Sequence, residues 1–220
     1  TLCLVSLILF GLQLHGPTFN QEKLVSDAES VYQHISITED KEGVRYLKFD
    51  SGLSIQSVYN PKEIQNGYYY DAYSIFPALI DKPHIRILIM GFAGGTIARQ
   101  MTHYYGDTVN ITGVELDKEV VALAEKNFGL EKGKYELYYQ DARQALNTLT
   151  ENYDIVIVDT YHNEFQIPWQ MTTQEFWQAT RKRLAPGGYL LMNIAHLGKD
   201  SFLVNALANT ATTTYSFVYT

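Results

Sequence analysis

From Ile85 onward, short apolar runs alternate with longer stretches in which apolar residues recur every three or four positions. Ile87-Leu88-Ile89-Met90, Ile111-Thr112-Gly113-Val114, Tyr135 to Gln140 and Ile155-Val156-Ile157-Val158 read as strands. Lys118 to Phe128, apolar at Val120, Val121, Leu123, Ala124 and Phe128, reads as an amphipathic helix. Thr173 to Leu184 is predicted helical, ended by Pro186-Gly187-Gly188 before a strand over Tyr189 to Asn193, and Thr212 to Thr220 reads as a last strand. Such alternation predicts an α/β domain built on an open parallel sheet, expected over 67–220 and cut at its C-terminal end.

The pattern before Ile85 is different. Tyr32 to Thr38, Arg45 to Phe49 and Ser54 to Val58 alternate between apolar and polar positions, separated by turns at Glu42-Gly43 and Asp50-Ser51-Gly52. They predict a small antiparallel β-domain over 30–66, a three-stranded meander. Residues 18–29 are more polar and read as a linker. Leu2 to Leu14 is interrupted only by Ser6 before Gln13. A membrane span takes ~20 apolar residues, so 1–17 reads as the end of a transmembrane helix, with a buried strand or helix as the alternative.

Charge and cysteine content then exclude function classes. The chain has 220 residues, 17 Lys and Arg against 24 Asp and Glu, and a net charge of −7. A phosphate-binding face needs clustered cations, so nucleic acid is not an expected partner, whereas a cationic small molecule suits an acidic chain. The single Cys3 rules out an internal disulfide framework, and no Cys cluster for a metal is present.

The candidate chemistry lies at the strand ends. The first parallel strand runs into Gly91-Phe92-Ala93-Gly94-Gly95-Thr96, and Glu115, Asp141 and Asp159 follow later strands. In a Rossmann-like, doubly wound parallel sheet the carboxyl ends of neighbouring strands line one crevice, so these groups converge on one ligand. Glycines let the backbone approach that ligand closely. Glu115 is placed to accept both hydroxyls of a ribose, or else is a solvated strand end. Asp141, followed by the small Ala142, is placed to accept an adenine amine, to cap the helix that follows, or both. Asp159 emerges from four apolar residues at the crevice mouth and is the candidate catalytic group. Asp154, at the other end of that strand, reads as a turn residue. Tyr161, His162, Asn163 and Glu164 wall the same pocket, and His162 and His196 read as loop residues rather than bases.

Taken in order, Tyr32-Gln33, the meander, Tyr69-Tyr70-Asp71 before Pro77, the glycine turn, Val114-Glu115-Leu116-Asp117, Gln140-Asp141-Ala142 and Tyr153-Asp154 through Asp159 resemble the spermidine synthases, the polyamine aminopropyltransferases. Asp159-Thr160-Tyr161 and Pro186-Gly187-Gly188 look most like the subgroup fused to a transmembrane region. The resemblance implies a fold of the S-adenosylmethionine methyltransferase type and decarboxylated S-adenosylmethionine as co-substrate, without a metal. It also implies a small cationic amine as partner, a homodimer as the assembly to consider, and a membrane-anchored protein with a cytoplasmic catalytic domain. Carried over, Asp159 anchors and deprotonates the attacking amine and Tyr69 aligns it. Gln33, Gly91, Gly94, Gly95, Glu115, Asp141 and Ala142 hold the donor. Three positions depart from the family pattern: Ala93 stands where an acid grips the donor amine, His162 replaces a second acid, and Tyr70 replaces His or Gln. Asp71 and Glu164 are the acids near enough in sequence to take over. Methyl transfer from intact S-adenosylmethionine, favoured by Ala93, and a nucleoside-binding sensor are the competing readings.

Overall fold

A computed structural model describes residues 4–8, 22–162, 165–195 and 201–220, the first of these as backbone alone. The strands are β1 (Leu4–Ile8), β2 (Lys23–Glu29), β3 (His34–Glu39), β4 (Arg45–Phe49), β5 (Ile55–Tyr59), β6 (Ile85–Met90), β7 (Val109–Glu115), β8 (Tyr135–Tyr139), β9 (Tyr153–Val158), β10 (Leu184–Asn193) and β11 (Phe217–Tyr219). The helices are α1 (Tyr70–Tyr73), α2 (Thr96–Tyr105), α3 (Lys118–Asn127), α4 (Ala142–Thr148), α5 (Gln174–Arg183) and α6 (Phe202–Ala211).

The small sheet is antiparallel in the order β2-β3-β4-β5. Alternation along β3 and β4 turns Ile35, Ile37 and Leu47 to one side, where they pack on Val120, Ala124 and Phe128 of α3 and its end. This sheet has four strands rather than the expected three, because Lys23–Glu29 pairs with β3 where a linker was read. As an edge strand with mostly exposed or half-exposed side chains it carries little apolar alternation, and its partner defines it.

The large sheet is parallel throughout, in the order β11-β1-β10-β9-β6-β7-β8. Successive residues of its central strands serve two cores. Leu88, Met90, Val156 and Val158 face Leu146, Trp177 and Leu207, while Ile87, Ile89, Ile155 and Ile157 face Ile97, Met101 and Val121. Both faces are therefore covered, which is why these strands read as unbroken apolar runs. Thr173 caps α5 by accepting the Phe176 N–H at 3.3 Å. Strand β10 begins already at Leu184 and absorbs Pro186-Gly187-Gly188 as a register shift against β9. Between β10 and the final strand lies α6, which the sequence pattern did not suggest.

The N-terminal expectation needs correction for five residues. Leu4–Ile8 is a strand, paired from Leu4↔Tyr189 to Ile8↔Asn193 on one side and from Leu4↔Phe217 to Ser6↔Tyr219 on the other. A short apolar run satisfies its backbone in a sheet as well as in a helix, and periodicity does not separate the two. The remainder of 1–17 lies outside the described residues. No helix among the described residues is long and apolar enough to cross a membrane.

Candidate active site

Strands β7 and β8 lie on one side of β6, and β9 and β10 on the other, so the chain reverses its direction of build at the β6–β9 border. A crevice opens at such a border, at the carboxyl ends of the strands. Met90 pairs with Val158 there, and the next residues, Gly91 and Asp159, face each other. The Asp159 N–H donates to the Met90 carbonyl at 2.8 Å. Gly91 has φ +89°, and a Cβ on it would stand 2.1 Å from the Asp159 carbonyl oxygen. Only glycine allows the turn and the acid to meet this closely.

The turn that follows has its amides engaged by the protein. Gly91 and Phe92 donate to the Val114 carbonyl, Gly95 to the Phe92 carbonyl, Ala93 to Glu115 Oε2 at 2.8 Å and Gly94 to Ser57 Oγ at 2.9 Å. None of these five N–H groups points to a phosphate, in contrast to the loops that cradle dinucleotides. A Cβ on Gly94 would come within 2.7 Å of the Ser57 Cβ, so the bare backbone there docks the small sheet onto the turn. Gly94 and Gly95 therefore stand behind the cavity and shape it, while Gly91 lines it.

Asp159 is held at both oxygens. Tyr69 Oη donates to Oδ2 at 2.8 Å and Asn193 Nδ2 donates to Oδ1 at 2.9 Å. Tyr161 Oη donates to the Asn193 carbonyl at 3.0 Å and accepts the Ala195 N–H at 2.9 Å, fixing the end of β10 from which Asn193 projects. Burial raises the Asp159 carboxyl to about 6, against the lowering effect of the bonds from Asn193 and Tyr69. Burial, reinforced by the Asp159 charge, also raises the hydroxyls of Tyr69, Tyr70 and Tyr73, so they stay protonated and Tyr69 remains a donor.

A cavity of about 550 Å³ opens beside this group, and Gln33, Gly91, Glu115, Asp141, Ala142 and Asp159 all line it. Tyr69 lines an adjoining recess together with Asp159 and Ala93. Glu115 accepts the Asp117 N–H through Oε1 at 3.1 Å as well as the Ala93 N–H, and burial raises its carboxyl. It is thus tied into the turn rather than a solvated strand end. Asp141 caps α4 through Oδ1 alone, accepting the N–H groups of Arg143 at 2.9 Å and Gln144 at 3.0 Å. The cap reading holds, and the cavity position leaves the ligand reading open beside it. Gln33 is held through its backbone, whose N–H donates to Ser30 Oγ at 3.1 Å.

Other candidates fall elsewhere. Asp71 accepts the N–H groups of Asn66 and Gly67 and the Gln100 amide, so it pins a loop and does not replace a lost acid of the site. Tyr70 donates to the Ile55 carbonyl at 3.2 Å. Asp154 is more than a turn residue, since it is buried, pairs with Lys82 and accepts the Arg86 N–H at 2.9 Å. His162 lines the cavity within a narrow backbone bridge to Gln166. Asn163, Glu164 and His196 lie outside the described residues. Sequence reasoning missed Asn193 and Ser57, although a polar residue closing the apolar run of β10 was a usable signal for Asn193.

The lining of the cavity carries five carboxylates, those of Asp50, Glu115, Asp117, Asp141 and Asp159, and neither Lys nor Arg. It selects a cationic ligand. Among the described residues no group of three or more His, Cys, Asp and Glu could hold a metal ion.

Residues 69–216 match the family model of the spermine/spermidine synthase domain. The chain belongs to this family. A probable polyamine aminopropyl transferase of Bifidobacterium longum is 32% identical over 214 residues, covering 94% of this chain and 47% of the relative. A probable spermidine synthase of Corynebacterium glutamicum superposes with a TM-score of 0.66 at 23% identity, covering 77% of this chain and 63% of that one. A spermidine synthase in complex with the transition-state analogue AdoDATO gives a TM-score of 0.69 at 18% identity, with 89% and 66% covered. These two likenesses show the fold of the spermidine synthases. The chain spans about half the length of the curated relatives it matches.

Proposed function

We propose that this member of the spermine/spermidine synthase family transfers an aminopropyl group from decarboxylated S-adenosylmethionine to a cationic amine. The observation that carries the reading is Asp159, a carboxylate raised to about 6 and oriented by Tyr69 and Asn193 in a cavity without Lys or Arg. Glu115 and Asp141 stand where the hydroxyls of a ribose and the amine of an adenine would be accepted. Asp159 holds an incoming ammonium, takes its proton, and keeps the neutral nitrogen in line with the carbon beside the sulfonium. The new C–N bond forms as the C–S bond breaks, its electron pair stays on sulfur, and the product is a neutral thioether. The names of the relatives, polyamine aminopropyl transferase and spermidine synthase, point the same way.

A second reading rests on Ala93. With no acid in the turn to grip a donor amine, intact S-adenosylmethionine and methyl transfer become an alternative. Supplying each donor separately with 1,4-diaminobutane and following release of the two different thioethers distinguishes them. Asp159→Asn should keep nucleoside binding and lower turnover by ~100-fold or more. Glu115→Ala should weaken nucleoside binding by about 1.5 to 3 kcal/mol in titration calorimetry, as a lost hydrogen bond to a charged group does. Thioether from the intact donor alone would transfer the assignment to methyl transfer. Release from neither, despite tight binding, would favour a sensor.

Homodimer formation, attachment to a membrane through the N-terminus and a cytoplasmic catalytic domain belong to the same proposal. Membrane attachment is supported by the composition of Leu2–Leu14 and opposed by the strand pairing of Leu4–Ile8.

A further inference from the structure

The cavity has a wall that the mechanism above leaves unused. It is contributed by the small sheet, where the tip of the β4–β5 hairpin places Asp50 on the same cavity as Asp159. Asp50 has φ +43°, and the Gly52 N–H closes the turn on the Phe49 carbonyl at 2.8 Å. This backbone shape requires a residue that tolerates the left-handed region, which Asn or Gly does as well as Asp. It does not require a negative charge.

Nor does folding neutralise that charge. Asp50 is exposed, and its Oδ1 accepts the His34 N–H at 3.3 Å, long for a bond to a carboxylate. None of the ion pairs among the described residues includes it. The other four carboxylates of the cavity are committed: Glu115, Asp117 and Asp141 accept backbone N–H groups, and Asp159 accepts from Tyr69 and Asn193. The nitrogen that attacks must be neutral, so any charge the acceptor keeps during reaction sits on a different nitrogen. Asp50 is the carboxylate in this cavity with capacity for it.

We propose that Asp50 anchors a second ammonium group of the acceptor, so that the site selects amines carrying at least two positive charges, one nitrogen at Asp159 and another at Asp50. The proposal deepens the aminopropyl-transfer reading and rests on it for the word acceptor, but amine binding tests it without turnover.

Titration calorimetry with 1,4-diaminobutane and with 1-aminobutane, on the unaltered protein and on Asp50→Asn, provides the test. Asn keeps the turn and an oxygen for the His34 N–H and removes only the charge. The unaltered protein should bind the diamine about fivefold or more tighter than the monoamine, as one further ion pair allows, and this preference should shrink in 0.5 M NaCl. Asp50→Asn should bring the two amines within about twofold while leaving the monoamine affinity as it was. An equal loss for both amines, an unchanged preference in the variant, or no preference in the unaltered protein would overturn the proposal. Absence of aminopropyl transfer with this binding pattern intact would instead count against the reaction assigned above and leave the anchor standing.

Discussion

The carboxyl of Asp159 is where stability and chemistry oppose each other. Its folded pKa of about 6 lies above the ~3.9 of an unfolded aspartate, so between these values the native state binds the proton more firmly. Stability tied to this group is then fully present below the lower value and is lost as pH rises through the upper one. Asp159→Asn should therefore be more stable than the unaltered protein at pH 8, with the gap closing toward pH 4 in urea titrations. A gap independent of pH would mean that the buried charge is not its source. The Asn193 amide favours the ionised form, so Asn193→Ala should move the acidic limb of the rate profile to higher pH. Lost rate with an unmoved limb would make Asn193 a shaping residue only.

The meeting of β6 and β9 depends on one missing side chain. Gly91→Ala places a methyl group on the Asp159 carbonyl in a backbone region with φ +89°, and these two strands form the centre of the sheet. The expected cost is about 3 kcal/mol or more, seen as a lower urea midpoint and as loss of nucleoside binding together. A variant of ordinary stability that fails only to bind would show that the turn gives way without disturbing the sheet. Across the same turn, Ser57 Oγ holds the Gly94 N–H and Thr96 Oγ1 accepts the Val58 N–H at 2.9 Å. Element packing of this kind carries Gln33, Asp50 and Gln56 onto the cavity that the parallel sheet supplies with acids.

At the level of the whole molecule the N-terminal run carries two incompatible expectations. Leu4–Ile8, seated between β10 and β11, joins the last strand of the sheet to the rest, because β11 pairs with β1. If that strand is what the run does, removing residues 1–21 lowers the denaturation midpoint and the full chain sediments with soluble protein. If the run anchors a membrane, the same removal leaves the midpoint unchanged and shifts the protein from a salt-resistant membrane fraction to the soluble one. One truncation with fractionation and denaturation decides between them.

Local pattern alone was enough for the parallel α/β domain, its glycine turn and the acids Glu115, Asp141 and Asp159. Buried central strands must be apolar along their whole length, and the residue that leaves such a strand must be polar or glycine, so both are written in short windows. The spacing of Thr173 ahead of α5 and of Asp141 ahead of α4 was legible for the same reason. Only the tertiary structure decided what depends on partners distant in sequence. Lys23–Glu29 is a strand because β3 lies beside it, and Asp71 is a loop pin because Asn66, Gly67 and Gln100 surround it. Asn193 becomes the partner of Asp159 across 34 residues, and Asp50 reaches the cavity from another sheet. The direction a polar side chain faces, and whether its charge is already matched, is set by packing that no window of neighbouring residues contains.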